Sequence, residues 1–171
     1  MTLWRDMNRP RAFSIVALAL ALAPADGWRV RRTSHLGGHR FAPTALVLPQ
    51  GTVWAWLDAE RLTAVLERTC PPADLRSHYR GSTAMATPAL QMAEGAVLAE
   101  VGWSWLDEVR SGTTIEAGPD RWVVHIESTA GDWEAVVERL GVSRQAVCGE
   151  PPPAGGKTDD ILRLAKIRQQ R

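Results

Sequence analysis

Apolar positions along the chain follow two rhythms, one of period two and one close to 3.6. Residues 44–48 (TALVL) form a continuous apolar run between Pro43 and Pro49-Gln50-Gly51, which predicts a central strand and a turn. Residues 52–57 (TVWAWL) return as the second arm of that hairpin. Alternation in residues 28–34 (WRVRRTS), 113–117 and 121–128 (RWVVHIES) predicts three further strands, the last two joined by the turn Gly118-Pro119-Asp120. A helix is expected over 59–68, capped by Asp58, with Leu62, Val65 and Leu66 on its inner face and Cys70-Pro71-Pro72 as its stop. Thr87 and Pro88 open a longer one, residues 88–106, with Leu90, Val97, Val101 and Trp105 along one stripe.

Other segments read less sharply. Residues 133–140 (WEAVVERL) could form a helix capped by Asp132, but Trp133, Ala135 and Val137 alternate, and the strand reading extends the preceding hairpin. Residues 76–85 (RSHYRGSTAM) read as a loop, and Pro151-Pro152-Pro153-Ala154-Gly155-Gly156 as a linker. The tail 159–171 reads as a short amphipathic helix with Ile161, Leu164, Ala165 and Ile167 apolar, its basic end complementing the helix dipole. The division expected is one domain over 1–148 and a linker with tail helix over 149–171.

Near the start, residues 12–23 (AFSIVALALALA) are apolar on every face and follow Arg5, Arg9 and Arg11. Twelve residues fall short of the roughly twenty that a membrane helix needs. Two readings remain, a secretory signal ending at Ala21-x-Ala23 and a buried helix begun by Pro10 and ended by Pro24.

Composition narrows the function classes. Twenty Lys+Arg against nineteen Asp+Glu leave a net charge of +1, which excludes a broad basic field for nucleic acid. Eight Trp against two Phe and one Tyr suggest indoles filling the core and its rim. Cys70 and Cys148 form no C-x-x-C pair, so neither a zinc ribbon nor a dithiol redox site is written here; two buried thiols are expected, with one disulfide as the alternative in an exported protein. The acidic residues are scattered and no G-x-S-x-G is present, which argues against a glycosidase or a serine hydrolase.

The chemistry-bearing string is Ser34-His35-Leu36-Gly37-Gly38-His39-Arg40-Phe41-Ala42-Pro43. Two imidazoles four positions apart would share a helix face, but the glycines and Pro43 favour a loop. Imidazole nitrogens suit zinc, copper, nickel and iron, while spacing alone equally allows two histidines that merely brace a tight turn. His78, in a polar loop, and His125, within a strand, are weaker candidates.

That string, within residues 28–51 (WRVRRTSHLGGHRFAPTALVLPQG), resembles the corresponding segment of the sucrase/ferredoxin-like proteins. The resemblance continues at Tyr79-Arg80-Gly81 and at Pro88-Ala89-Leu90-Gln91-Met92-Ala93-Glu94, and covers roughly residues 10–148. It implies an α+β, thioredoxin-like fold, in which a small sheet (28–34, 44–48, 52–57) is covered by helices and the later strands 113–140 are added. It implies an electron-transfer protein rather than an enzyme, with His35 and His39 as the cofactor-binding, metal-ligating pair on one iron of a [2Fe-2S] cluster.

The family's two cysteine ligands precede its first helix. The matching residues 1–10 (MTLWRDMNRP) hold no cysteine, which marks an N-terminally truncated or degenerate member with impaired cluster binding. The resemblance also places residues 12–23 at the family's first helix, so a retained segment and a cytoplasmic protein are expected, with export as the alternative. The expected partner is an unidentified redox protein, with no nucleic acid and no membrane. A non-redox thioredoxin-like remnant or binding module without a cluster is the second functional reading.

Overall fold

The structure, a computed structural model, describes Arg29, Phe41, residues 43–144 and residues 158–170. The expected strand 28–34, helix 12–23 and linker 151–156 lie outside the described residues, Arg29 apart. The chain is α+β, with one three-stranded and one four-stranded sheet, both antiparallel, and two α-helices among the described residues.

The expected hairpin forms from β1 (Ala45–Val47) and β2 (Thr52–Trp54), paired Ala45 to Trp54 and Val47 to Thr52. The third strand of this sheet is β3 (Tyr79–Ser82), which pairs with β2. This leaves turn and loop at 76–78 and 83–85 but corrects the loop expected over 76–85 at Tyr79–Ser82. Those residues look polar and hold a glycine, and their extended form is imposed by pairing with β2.

Helix α1 (Ala59–Glu67) begins as expected, with the Asp58 carboxylate accepting the Arg61 N–H at 2.9 Å. It buries Leu62, Ala64 and Val65 in the common core. Helix α2 (Pro88–Val101) has Thr87 as its cap, accepting the Leu90 N–H at 3.2 Å. The helix is shorter than the expected 88–106. Gly102, at φ 95°, ends it, and a 3₁₀ turn (Trp103–Asp107) carries the chain on. Nor is only one stripe of α2 buried. Ala89, Leu90 and every residue from Ala93 to Leu98 are buried, because α2 touches β3 of the small sheet and all four strands of the other.

The second sheet is a meander in the order β4 (Arg110–Glu116), β5 (Arg121–Ser128), β6 (Asp132–Arg144) and β7 (Thr158–Gln170). Alternation on β5 and β6 turns Val124, Ile126, Trp133, Ala135 and Val137 into the core, which bears out the strand reading of 133–140. The tail corrects the expected helix, because 158–170 is a strand paired along the length of β6.

The apolar spacing explains the misreading. The ladder passes from Lys166–Val136 to Leu164–Val137 and skips Ala165, which is therefore an extra residue. The inward side chains are consequently Leu162, Leu164 and Ile167, at spacings of two and then three, and the three mimics helical periodicity. A second irregularity passes over Leu140 of β6.

Indoles do fill the core. Trp54, Trp105 and Trp133 are buried, Trp103 and Trp122 half-buried. Burial of each such side chain removes about 150–250 Å² from water. No described helix is long and apolar enough to cross a membrane.

Candidate functional site

Three segments, the end of the histidine string, Tyr79-Arg80-Gly81 and Pro88 to Glu94, lie next to one another in space. The end of the histidine string reaches the small sheet through backbone bonds. The Trp56 N–H donates to Phe41 O at 2.9 Å and the Leu57 N–H to Pro43 O at 3.2 Å, while Thr44 Oγ1 donates to Phe41 O at 3.2 Å. The Arg80 guanidinium of β3 lies 3.8 Å over the Phe41 ring, within range of a cation–π contact. Trp56 meets Phe41 edge-on at 5.4 Å.

The Tyr79-Arg80-Gly81 and Pro88-to-Glu94 segments interlock next to this. Gly81 has φ 103°, and a Cβ there would stand 2.4 Å from Cγ of Gln91. Gln91 in turn donates to Met85 O at 3.0 Å. Glu94 is wholly buried, and both its oxygens are used. Oε2 accepts from the Tyr79 hydroxyl and the Ser82 N–H, each at 2.9 Å; Oε1 accepts from Ser82 Oγ and Arg110 Nε, each at 2.8 Å. Arg110 Nη1 donates to the carbonyls of Trp105, Leu106 and Glu108 at 3.0–3.4 Å. Burial, then the Glu94 charge and hydrogen bond, push the Tyr79 phenol far above its ordinary value. With four donors on one sealed carboxylate, this cluster joins the two sheets and offers no face to a substrate.

Beside the interlocked segments runs a cleft of about 630 Å³, bordered by Phe41, Trp56, β3, α2 and residues 160–164 of β7. Phe41, Tyr79, Arg80, Gln91 and Met92 are among its lining residues.

Of the sequence-predicted site residues, His35 and His39 lie outside the described residues, as does Cys148. Phe41, two positions after His39, is described and lines the cleft. His78 is half-buried, with Nδ1 3.0 Å from Ala55 O, a contact that braces the backbone. His125 faces Glu134 across the ladder at 4.0 Å on the outer side of the large sheet. Cys70 is a free thiol, half-buried rather than buried, and its carbonyl accepts the Trp103 indole N–H at 2.6 Å. Among the described residues no three His, Cys, Asp or Glu side chains gather as a metal site.

Sequence reasoning missed Trp56 and Arg76 at the cleft and the role of Glu94. An acidic residue in the middle of an apolar helix, three positions after Gln91, was the one signal for the last. Comparisons with protein-family models, with curated proteins and with solved structures yield no match to the chain.

Proposed function

We propose that the chain is a ferredoxin-like electron-transfer protein of the sucrase/ferredoxin-like family, with His35 and His39 as the imidazole half of a [2Fe-2S] site. The observation that carries this reading is the meeting of Phe41 with Tyr79-Arg80-Gly81, 38 positions further on, and of that segment with Gln91 to Glu94, all three within the stretches that carry the resemblance. The thioredoxin-like fold is part of the proposal, supported by the β1–β2–β3 sheet packed with α1 and α2. A cytoplasmic setting and a redox-protein partner belong to the same reading.

The donors do not make a complete cluster site. Two imidazoles can serve one iron, but the second needs two thiolates to offset its charge. Residues 1–10 hold no cysteine, and Cys70 sits at the end of α1 with its backbone tied to Trp103. On these donors the 171-residue chain is expected to bind the cluster poorly. Two neutral imidazoles alone bind Zn²⁺ or Ni²⁺ weakly, and that binding falls as pH drops through the imidazole range near about 6.5.

The missing thiolates favour a second reading, a binding module without a cluster. Anaerobic reconstitution with iron and sulfide, followed by visible absorption and iron counting, separates the two. A substoichiometric, unstable chromophore that disappears in His35→Ala and His39→Ala supports the impaired ferredoxin. A chromophore that persists in both variants removes these histidines as ligands, and no chromophore at all leaves the binding module. Cys70→Ser with Cys148→Ser is expected to leave the metal content unchanged.

A further inference from the structure

We propose that the cleft between β3, α2 and β7 binds a small organic anion with a flat apolar body, independently of any cluster at His35 and His39. Trp56 carries the inference. Its neighbours Trp54, Ala55 and Leu57 are buried, yet Trp56 is 43% exposed and lines the cleft. Its backbone is left-handed, at φ 51°, a conformation that a side chain with a Cβ disfavours.

Three successive backbone bonds hold it there: Ala55 N–H to His78 O, Trp56 N–H to Phe41 O and Leu57 N–H to Pro43 O, at 2.8, 2.9 and 3.2 Å. An aromatic side chain that is both strained and withheld from the core is the pattern found at ligand clamps. Phe41 stands edge-on to it, and Pro88 and Met92 of α2 line the same cleft, so this side of the lining is aromatic and apolar.

Charge sets the ligand's sign. Arg76 and Arg80 line the cleft from the β3 side and Arg163 from β7. The one acid among its described lining residues, Asp160, is paired with Arg139. Arg163 is engaged by Glu138, whereas Arg76 has no side-chain partner among the described residues. A planar guanidinium suits a carboxylate, sulfonate or phosphate group. The volume of the cleft falls in the range of small-molecule sites.

The test uses the 171-residue chain and 1-anilinonaphthalene-8-sulfonate, titrated by fluorescence, with near-UV circular dichroism confirming the native state at each point. Saturable one-to-one binding is expected. Trp56→Gly relieves the left-handed backbone but removes the ring's contact with Phe41; where near-UV circular dichroism shows the variant native, its Kd should rise about tenfold. Arg76→Gln should raise Kd by about tenfold as well. The uncharged N-phenyl-1-naphthylamine should bind about tenfold more weakly than the anion. Absence of saturable binding to the native chain overturns the proposal, as does parent-like affinity in either variant or equal affinity for the neutral probe. Should Trp56→Gly fail to fold, Arg76→Gln, an exposed position, decides alone.

Discussion

Two carboxylate–arginine pairs of almost equal length occupy the two halves of the molecule. Glu94–Arg110 spans 2.8 Å where β3, α2 and β4 meet, and Glu138–Arg163 spans 2.7 Å on the outer side of β6 and β7. The inner pair is sealed, with side chains 0% and 5% exposed, and each partner has further hydrogen bonds. The outer pair is in contact with water, Glu138 partly and Arg163 mostly, at 26% and 59% exposed. Distance therefore says little about what each pair does. Removing a partner inside strands a charge away from water, whereas water replaces the lost partner outside.

The largest expected effect breaks the inner pair. Glu94→Leu leaves the Arg110 charge, the Ser82 N–H and the Tyr79 hydroxyl without their acceptor, and should lower stability by about 3–5 kcal/mol in urea unfolding. Adding Arg110→Met should restore part of that loss, because the stranded charge goes with it. If the single variant unfolds at the parent's midpoint, the joint between the sheets does not depend on this carboxylate.

Next comes Gly81→Ala. The added methyl meets Gln91 on a backbone of positive φ, so a loss of about 1–3 kcal/mol is expected, partly relieved by Gln91→Ala.

A smaller, pH-dependent effect belongs to Tyr79, the chain's single tyrosine. Its folded pKa is raised, so its contribution is complete below the unfolded phenol's value near about 10 and is lost as pH rises above it. Absorbance at the tyrosinate band should therefore stay flat in the folded chain above that pH and rise only on unfolding. The alkaline fall in urea midpoint should be shallower in Tyr79→Phe.

The smallest effect is that of Glu138→Gln. Arg163 holds this carboxyl below its usual range, chiefly through their hydrogen bond, but the group keeps partial contact with water and its partner is exposed. Its urea midpoint should be indistinguishable from the parent's at neutral pH, in low and high salt alike.

Much of the frame was legible because local signals and burial agree. Asp58 caps α1, Thr87 and Pro88 start α2, and Trp133, Ala135 and Val137 alternate on β6. Legibility failed where a long-range contact overrides local pattern. The extra residue Ala165 disguised β7 as a helix, and β2 supplies the pairing that makes a strand of Tyr79–Ser82. An uninterrupted strand over 52–57 would put Trp54 and Trp56 on one face. The strand instead ends at Trp54, and the left-handed Trp56 turns outward. The cleft was invisible in the sequence because Phe41, Arg76 and Leu162 are brought together only by the finished fold. His35 and His39 lie outside the described residues, and Phe41, two positions after His39, is the residue of that string that lines the cleft.

The meander has a consequence for the order of assembly. Each strand from β4 to β7 pairs with the one made just before it, so a chain emerging from the ribosome always finds its next partner edge already in place. The exception in time is the interval between β6 and β7, during which thirteen residues of β6 present an open edge beside Val137 and Ala135. Nascent chains paused in that interval are the ones most exposed to pairing with each other, and the speed at which the following residues appear sets how long that exposure lasts.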